Sequence, residues 1–149
     1  MKKIAQAVGI AVGTLYNYFP GKKELFNEIL LESWETTLSK VEKIFTEPYE
    51  IHQLHHAIEV IYSDIEMRKG LGKHFISMEH VRLGDEDDVY MRLFASLENK
   101  IYEVMKALDI EFPKRKARML IISVITMKND FDSEKDENLR YLFDLVKES

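Results

Sequence analysis

The 149-residue chain contains no cysteine, which excludes disulfides and thiolate metal sites and fits a reducing compartment. Six glycines and three prolines are few for this length. With no low-complexity stretch and no internal repeat, order is expected throughout. No uninterrupted apolar run approaches the ~18 residues of a membrane span, and no secretory leader precedes the first periodic segment, so a cytoplasmic location with no membrane partner is expected. Missing too are HExxH, GxSxG, a glycine-rich phosphate loop and a dinucleotide fingerprint. On that ground neither an enzyme activity nor a cofactor is expected.

What is present is 46% hydrophobic and 32% charged, enough for one sizeable core and a small appendage. The appendage is marked by chemistry at the start of the chain. In Ile4 to Phe26, IAQAVGIAVGTLYNYFPGKKELF, a short apolar segment (Ile4, Ala5, Val8) stops at Gly9, and a second carries Val12, Leu15 and Tyr16. This reads as helix, glycine turn, helix. The second segment offers Thr14, Tyr16, Asn17 and Tyr18 as polar tips, which suits contact with a polar surface. Pro20 and Gly21 end it, and Lys22 and Lys23 open the next helix, where unpaired N–H groups and the positive dipole end favour a phosphate. Residues 1–26 hold Lys2, Lys3, Lys22 and Lys23 against Glu24, a charge of +3, which leaves −8 on the rest of a chain of net charge −5. A basic end on an acidic protein is the electrostatic pattern of a nucleic-acid reader.

The run IAxAxGI, then GTLYNYF, then a lysine opening a long helix that continues as ELF, resembles the helix-turn-helix of the TetR family of transcriptional regulators over about 23 positions. The resemblance implies an all-α fold: a helix-turn-helix over residues 1–26, then a helical ligand-binding and dimerisation domain over 27–149. It makes Ile10 to Phe19 the recognition segment. Ala11, Val12, Gly13 and Asn17 are expected nearest the bases, Thr14, Tyr16 and Lys22 on phosphates, and Tyr18 within the same DNA-binding set. Asn can read adenine bidentately and Ala or Val can touch a thymine methyl, whereas hydroxyls and lysine position the protein. Leu15 and Phe19 read as packing residues, and the Tyr16 ring can pack while its hydroxyl reaches out. The family pattern carries a further helix of about a dozen residues before IAxAxGI. The chain starts at Met1-Lys2-Lys3 without that helix, so the expectation is either that the native protein has residues upstream of Met1 or that this is a sensor half with a damaged reader, the inner faces of Ile4, Val8, Leu15 and Phe19 being uncovered in this chain.

Along the rest of the chain, Phe26, Ile29, Leu30, Trp34, Leu38, Val41 and Phe45 recur at three- and four-residue steps, predicting one long amphipathic helix from Lys22 to about Thr46, broken at Pro48. Ile51, Leu54, Ile58, Ile61, Tyr62 and Ile65 predict the next, and a short helix is expected from about Lys73 to Leu83. Asp85 to Asp88 open another, whose stripe is Tyr90, Leu93, Phe94, Leu97, Ile101, Val104, Met105 and Leu108. Pro113 suits a first helical turn, yet Lys114, Arg115, Lys116 and Arg118 follow where the dipole disfavours positive charge, so an acidic partner is expected nearby. The centre of that helix, Met119 to Ile125, is apolar almost all round. Ser133 with Asp136 is a weak capping box for a last helix carrying Leu139, Leu142, Phe143, Leu145 and Val146. The surplus apolar surface of these two helices, about residues 113–147, reads as a homodimer interface of four helices, and the resemblance implies the same. In a monomer both would be ordinary core helices.

His52, His55 and His56 have spacings that can bind zinc, but no carboxylate or cysteine joins them in a fixed pattern, and a solvated helix start accounts for them. His74 is expected towards a cavity and His80 outside. Asp85 to Asp88 point different ways round a helix and make no metal site. The resemblance implies a mostly apolar effector cavity in the body, for which the candidate walls are Tyr62, Phe75, Met78, Phe94 and Met105, side chains that make ordinary cores equally well. The resulting expectation is a ligand-responsive regulator, a repressor by preference, that binds a double-stranded DNA operator and answers to an unknown small apolar effector. The rival reading is a dimeric ligand-binding module that cannot bind DNA because the first helix is missing.

Overall fold

A computed structural model describes residues 1–67, 89–131 and 133–147. The described residues form seven α-helices and no strand: α1 (Lys2–Val8), α2 (Val12–Tyr18), α3 (Lys22–Ile44), α4 (Ile51–Met67), α5 (Val89–Ala107), α6 (Pro113–Asp130) and α7 (Lys135–Leu145). The expected helix over 73–83, the acidic opening at 85–88, and His74 and His80 lie outside the described residues. By compactness the chain divides inside α3, into Met1–Trp34 and Glu35–Ser149.

In the first unit, α1 ends on Gly9, whose φ of 72° and ψ of 28° are left-handed. The N–H of Gly9 donates to the Gln6 carbonyl at 3.3 Å and that of Ile10 to Ala5 at 3.0 Å, which is the Schellman arrangement that satisfies the last carbonyls of a helix and turns the chain sharply. The short α2 then packs on α1, with Ala5 and Leu15 buried between few other apolar groups. Of the four inner-face residues expected to lie uncovered, Leu15 is buried, Ile4 and Phe19 are half-buried, and Val8 is 61% exposed.

The second unit is organised on α6, which packs against α4, α5 and α7. Leu54, Ile58, Ile61 and Tyr62 from α4, Leu97, Ile101, Val104 and Met105 from α5, Leu120, Ile121, Val124 and Ile125 from α6, and Leu142 with Val146 make the core. Three neighbouring helices of its own chain therefore account for the nearly all-round apolar centre of α6. A helix buried on one side alone would not have needed it, and of Met119–Ile125 only Met119 is strongly exposed. The last helix opens one residue later than the Ser133 capping box expects: Glu134 is the cap residue and makes no side-chain cap. The turn is held instead by Asn138, whose Nδ2 donates to the Phe131 carbonyl at 2.7 Å and to the Tyr62 hydroxyl at 2.9 Å.

The body end of α3 is tied to α4 by polar contacts. Thr37, fully buried, donates its hydroxyl to Asp64 Oδ2 at 2.7 Å, and the Lys40 ammonium reaches both carboxylate oxygens at 2.9 Å.

Candidate nucleic-acid interface

Helix α2 is only seven residues long, and its side chains divide cleanly. Leu15 is buried and Val12 half-buried, with Phe19 just beyond the helix half-buried as well. At about 100° per residue these three share one face. Gly13 and Asn17 stand opposite them, with Thr14 and Tyr18 on one flank and Tyr16 on the other. Ala11, Gly13, Thr14, Tyr16, Asn17, Tyr18 and Lys22 are all exposed, Tyr18 to 76%. The sequence-expected set thus forms one outward strip, and Val12 alone turns partly inward as a packing residue.

Nothing lies within 4 Å of a methyl group built on Gly13, whose backbone is open to approach from outside. The same compact unit carries positive charge. Lys2, Lys3, Lys22 and Lys23 are exposed, and none of them forms an ion pair among the described residues. Chemically the arrangement offers an amide that can both donate and accept, three hydroxyls, a bare backbone and four ammonium groups, a set suited to base edges and phosphates.

The residues expected to line an effector cavity are placed differently. Tyr62 and Met105 are fully buried, Phe94 is half-buried, and Phe75 and Met78 lie outside the described residues. Tyr62 is engaged at both ends, since its hydroxyl accepts from Asn138 and the buried Lys128 ammonium stands 4.5 Å from its ring centre. It serves the core in this conformation. Of the histidines, His52 and His56 are exposed beside Glu50 and Glu59, and His55 stacks on Phe143 with ring centres 4.3 Å apart. No group of three or more potential metal ligands occurs among the described residues.

The acidic partner expected for the basic start of α6 is Glu98 of α5, which meets Arg118 Nε at 2.8 Å. That pair belongs to a surface groove of about 450 Å³ between α5 and α6, which also takes in Ser96, Asn99, Tyr102 and Lys114. Sequence reasoning passed over the α5 side of it. The signal was the polar set Ser96, Glu98, Asn99 and Tyr102, recurring at three- and four-residue steps on the face of α5 away from its apolar stripe.

Among the described residues, no helix is long and apolar enough to cross a membrane. Residues 1–29 match the family described as bacterial regulatory proteins, tetR family. Among curated proteins, the chain is 24% identical over 109 residues to the nucleoid occlusion factor SlmA of Vibrio cholerae serotype O1, an alignment covering 70% of this chain and 54% of that protein. The same identity and coverage hold for the SlmA proteins of Vibrio vulnificus strains YJ016 and CMCP6. The chain thus spans about half the length of the curated relatives it matches. No solved structure matches it significantly. The match to the tetR family of bacterial regulatory proteins thus falls on the very segment that folds as helix, glycine turn and helix, and only helices follow it in the described residues.

Proposed function

We propose that this chain is a DNA-binding transcriptional regulator, a repressor by preference, which works as a homodimer and leaves its operator when a small apolar effector binds the helical body. The observation that carries the reading is the outward strip of α2, with Gly13 and Asn17 at its centre and hydroxyl-bearing flanks, together with four exposed lysines of the same compact unit that form no ion pair among the described residues. Two such segments about one duplex turn apart, ~34–36 Å, would occupy successive major grooves. Effector binding acts by favouring one tilt of α3 over another, and it lowers operator affinity only as far as its affinity differs between the two states. Supporting this, α3 contributes to both compact units, and its body end is fastened to α4 through Asp64.

The test is binding of the chain to a pool of random duplexes at low and moderate salt, alongside its molar mass in solution. Selection of a two-fold site by a dimer, with log affinity falling against log salt by about 0.9 per phosphate contacted, is expected. A dimer that selects no sequence would replace this reading with a dimeric ligand-binding module, which the exposure of Val8 and Ile10 favours. The name of the relatives, nucleoid occlusion factor, favours a further reading in which DNA binding serves occlusion and not transcription. Selected sites that lie outside promoters and leave a reporter gene unchanged would support it.

A further inference from the structure

We propose that the groove between α5 and α6 is a second binding site, one for a small organic anion whose phosphate or carboxylate is taken by Lys114 and Arg118 and whose flat apolar part lies on Tyr102. This goes beyond the DNA-binding reading and does not depend on it.

At about 450 Å³ the groove falls within the size range of small-molecule sites. Its walls combine a half-exposed aromatic ring with hydrogen-bonding groups and charge. The cations decide the class of ligand. Four of them crowd the first six residues of α6 in a chain of net charge −5, and three are already engaged. The Arg115 guanidinium stands 5.7 Å from the Phe112 ring centre, Lys116 reaches the Lys147 carbonyl at 3.4 Å, and Arg118 meets Glu98. Lys114, the fourth, forms no ion pair or hydrogen bond among the described residues, and it lines the groove.

Glu98 is the resident counter-charge. Its side chain is 15% exposed, so the carboxylate is held against Arg118 and not dispersed into solvent. One carboxylate cannot fill the five donors of a guanidinium, and with Lys114 included the groove keeps a surplus of one positive charge. An incoming anion therefore takes Lys114 outright and shares Arg118 with Glu98. Charge-assisted bonds of this kind are about twice as strong as neutral ones. The remaining walls select the body of the ligand. Ser96 spends its hydroxyl proton on the Arg92 carbonyl at 2.9 Å and is left to accept, while Asn99 can donate or accept. Tyr102, half-buried, lines the groove, with the Lys106 ammonium 5.9 Å from its ring centre. At about 100° per residue, Lys114 and Arg118 lie on a different face of α6 from Met119. The groove stays open if the Met119 face meets a second copy.

The proposal is tested with the full chain, titrated at constant ionic strength with phenyl phosphate, benzoate and inorganic phosphate and followed by amide chemical shifts. Saturable shifts centred on Ser96, Asn99, Tyr102, Lys114 and Arg118 are expected with phenyl phosphate or benzoate, and weaker binding with inorganic phosphate. Lys114→Ala should weaken binding about tenfold, and Tyr102→Leu should abolish the advantage of phenyl phosphate over inorganic phosphate. Glu98→Gln should strengthen binding several-fold, because it frees Arg118, whereas a purely structural ion pair would give loss or no change. Lys135→Ala, which removes a charge from α7, should leave affinity unaltered. Shifts that never saturate, weaker binding in Glu98→Gln, or an equal effect of Lys135→Ala would overturn the proposal.

Discussion

Gly9 and Gly13 stand four residues apart and owe their residue type to different physics. A methyl group on Gly9 meets open space, but the backbone there is left-handed, at φ 72°. Gly9→Ala should cost about 1–2 kcal/mol locally, seen as faster hydrogen exchange at Ile10, the donor that closes the turn. Gly13 sits in an ordinary helical conformation with nothing near it. Gly13→Ala should leave the fold unharmed or stabilise α2 by up to about 1 kcal/mol, while weakening DNA binding, because the bare backbone is where a base edge or phosphate can come closest. Equal affinity of both forms for a selected duplex would remove Gly13 from the interface. His55 makes a third case. Burial holds its pKa below the ordinary 6.5, aided by Lys147 and His52 and opposed by Glu59, and its Nε2 meets no hydrogen-bond partner among the described residues. A histidine with a depressed pKa stays neutral in the fold while the unfolded chain binds the proton, so its stabilising effect holds above 6.5 and is lost as the pH falls below that value. Urea midpoints at about pH 7.5 and about pH 5.5 should show a smaller acid loss in His55→Phe than in the parent.

Element by element, the fold shows where a polar contact carries more than an apolar one. The tie between α3 and α4 joins a fully buried Thr37 to Asp64, whose side chain is 11% exposed, and the Lys40 that completes it is about half in solvent. Removing the exposed partner should matter little, about 0.5–1 kcal/mol for Lys40→Ala. Asp64→Ala should cost about 2–3 kcal/mol, because it removes a buried acceptor of the Thr37 hydroxyl and leaves a cavity. Chemical denaturation of the two single variants and the double variant separates the terms. A loss for Asp64→Ala no larger than for Lys40→Ala would mean that the tie is not a fixed joint. If α3 transmits effector binding, Asp64→Ala should also reduce the effector-dependent change in operator affinity.

For the whole molecule, the homodimer reading rests on exposed apolar groups of the last two helices and their flanks, Phe112, Met119, Phe131 and Tyr141, because the rest of the apolar surface of α6 is taken up by its own chain. Met119→Glu should lower the solution mass to that of a monomer with little change in melting temperature, since Met119 is 51% exposed and leaves no cavity behind. Leu120→Ala, one residue along and buried, should do the reverse, costing about 2–5 kcal/mol without acting on self-association. A Met119→Glu chain that keeps the dimer mass would move the interface elsewhere.

Residue type and spacing alone determined the helices and the helix-turn-helix segment. The period of apolar residues marked α3, α4, α5 and the last two helices to within a few residues, because helix faces repeat every three or four positions whatever packs on them. The glycine turn and the signature around it carried the resemblance to the tetR family over residues 1–29, because such local geometry needs particular residues at particular steps. Tertiary structure decided what each apolar face meets. Only packing showed that α6 is surrounded by α4, α5 and α7, that Tyr62 is held by Asn138 and Lys128, and that Val12 turns inward beside Leu15. It also decided the charge partners, since Glu98 and Arg118 lie twenty residues apart in sequence and Lys40 and Asp64 twenty-four. Periodicity fixes the direction of a side chain about its own helix axis, whereas the group opposite it depends on how separate helices cross, and short-range sequence pattern holds no record of that.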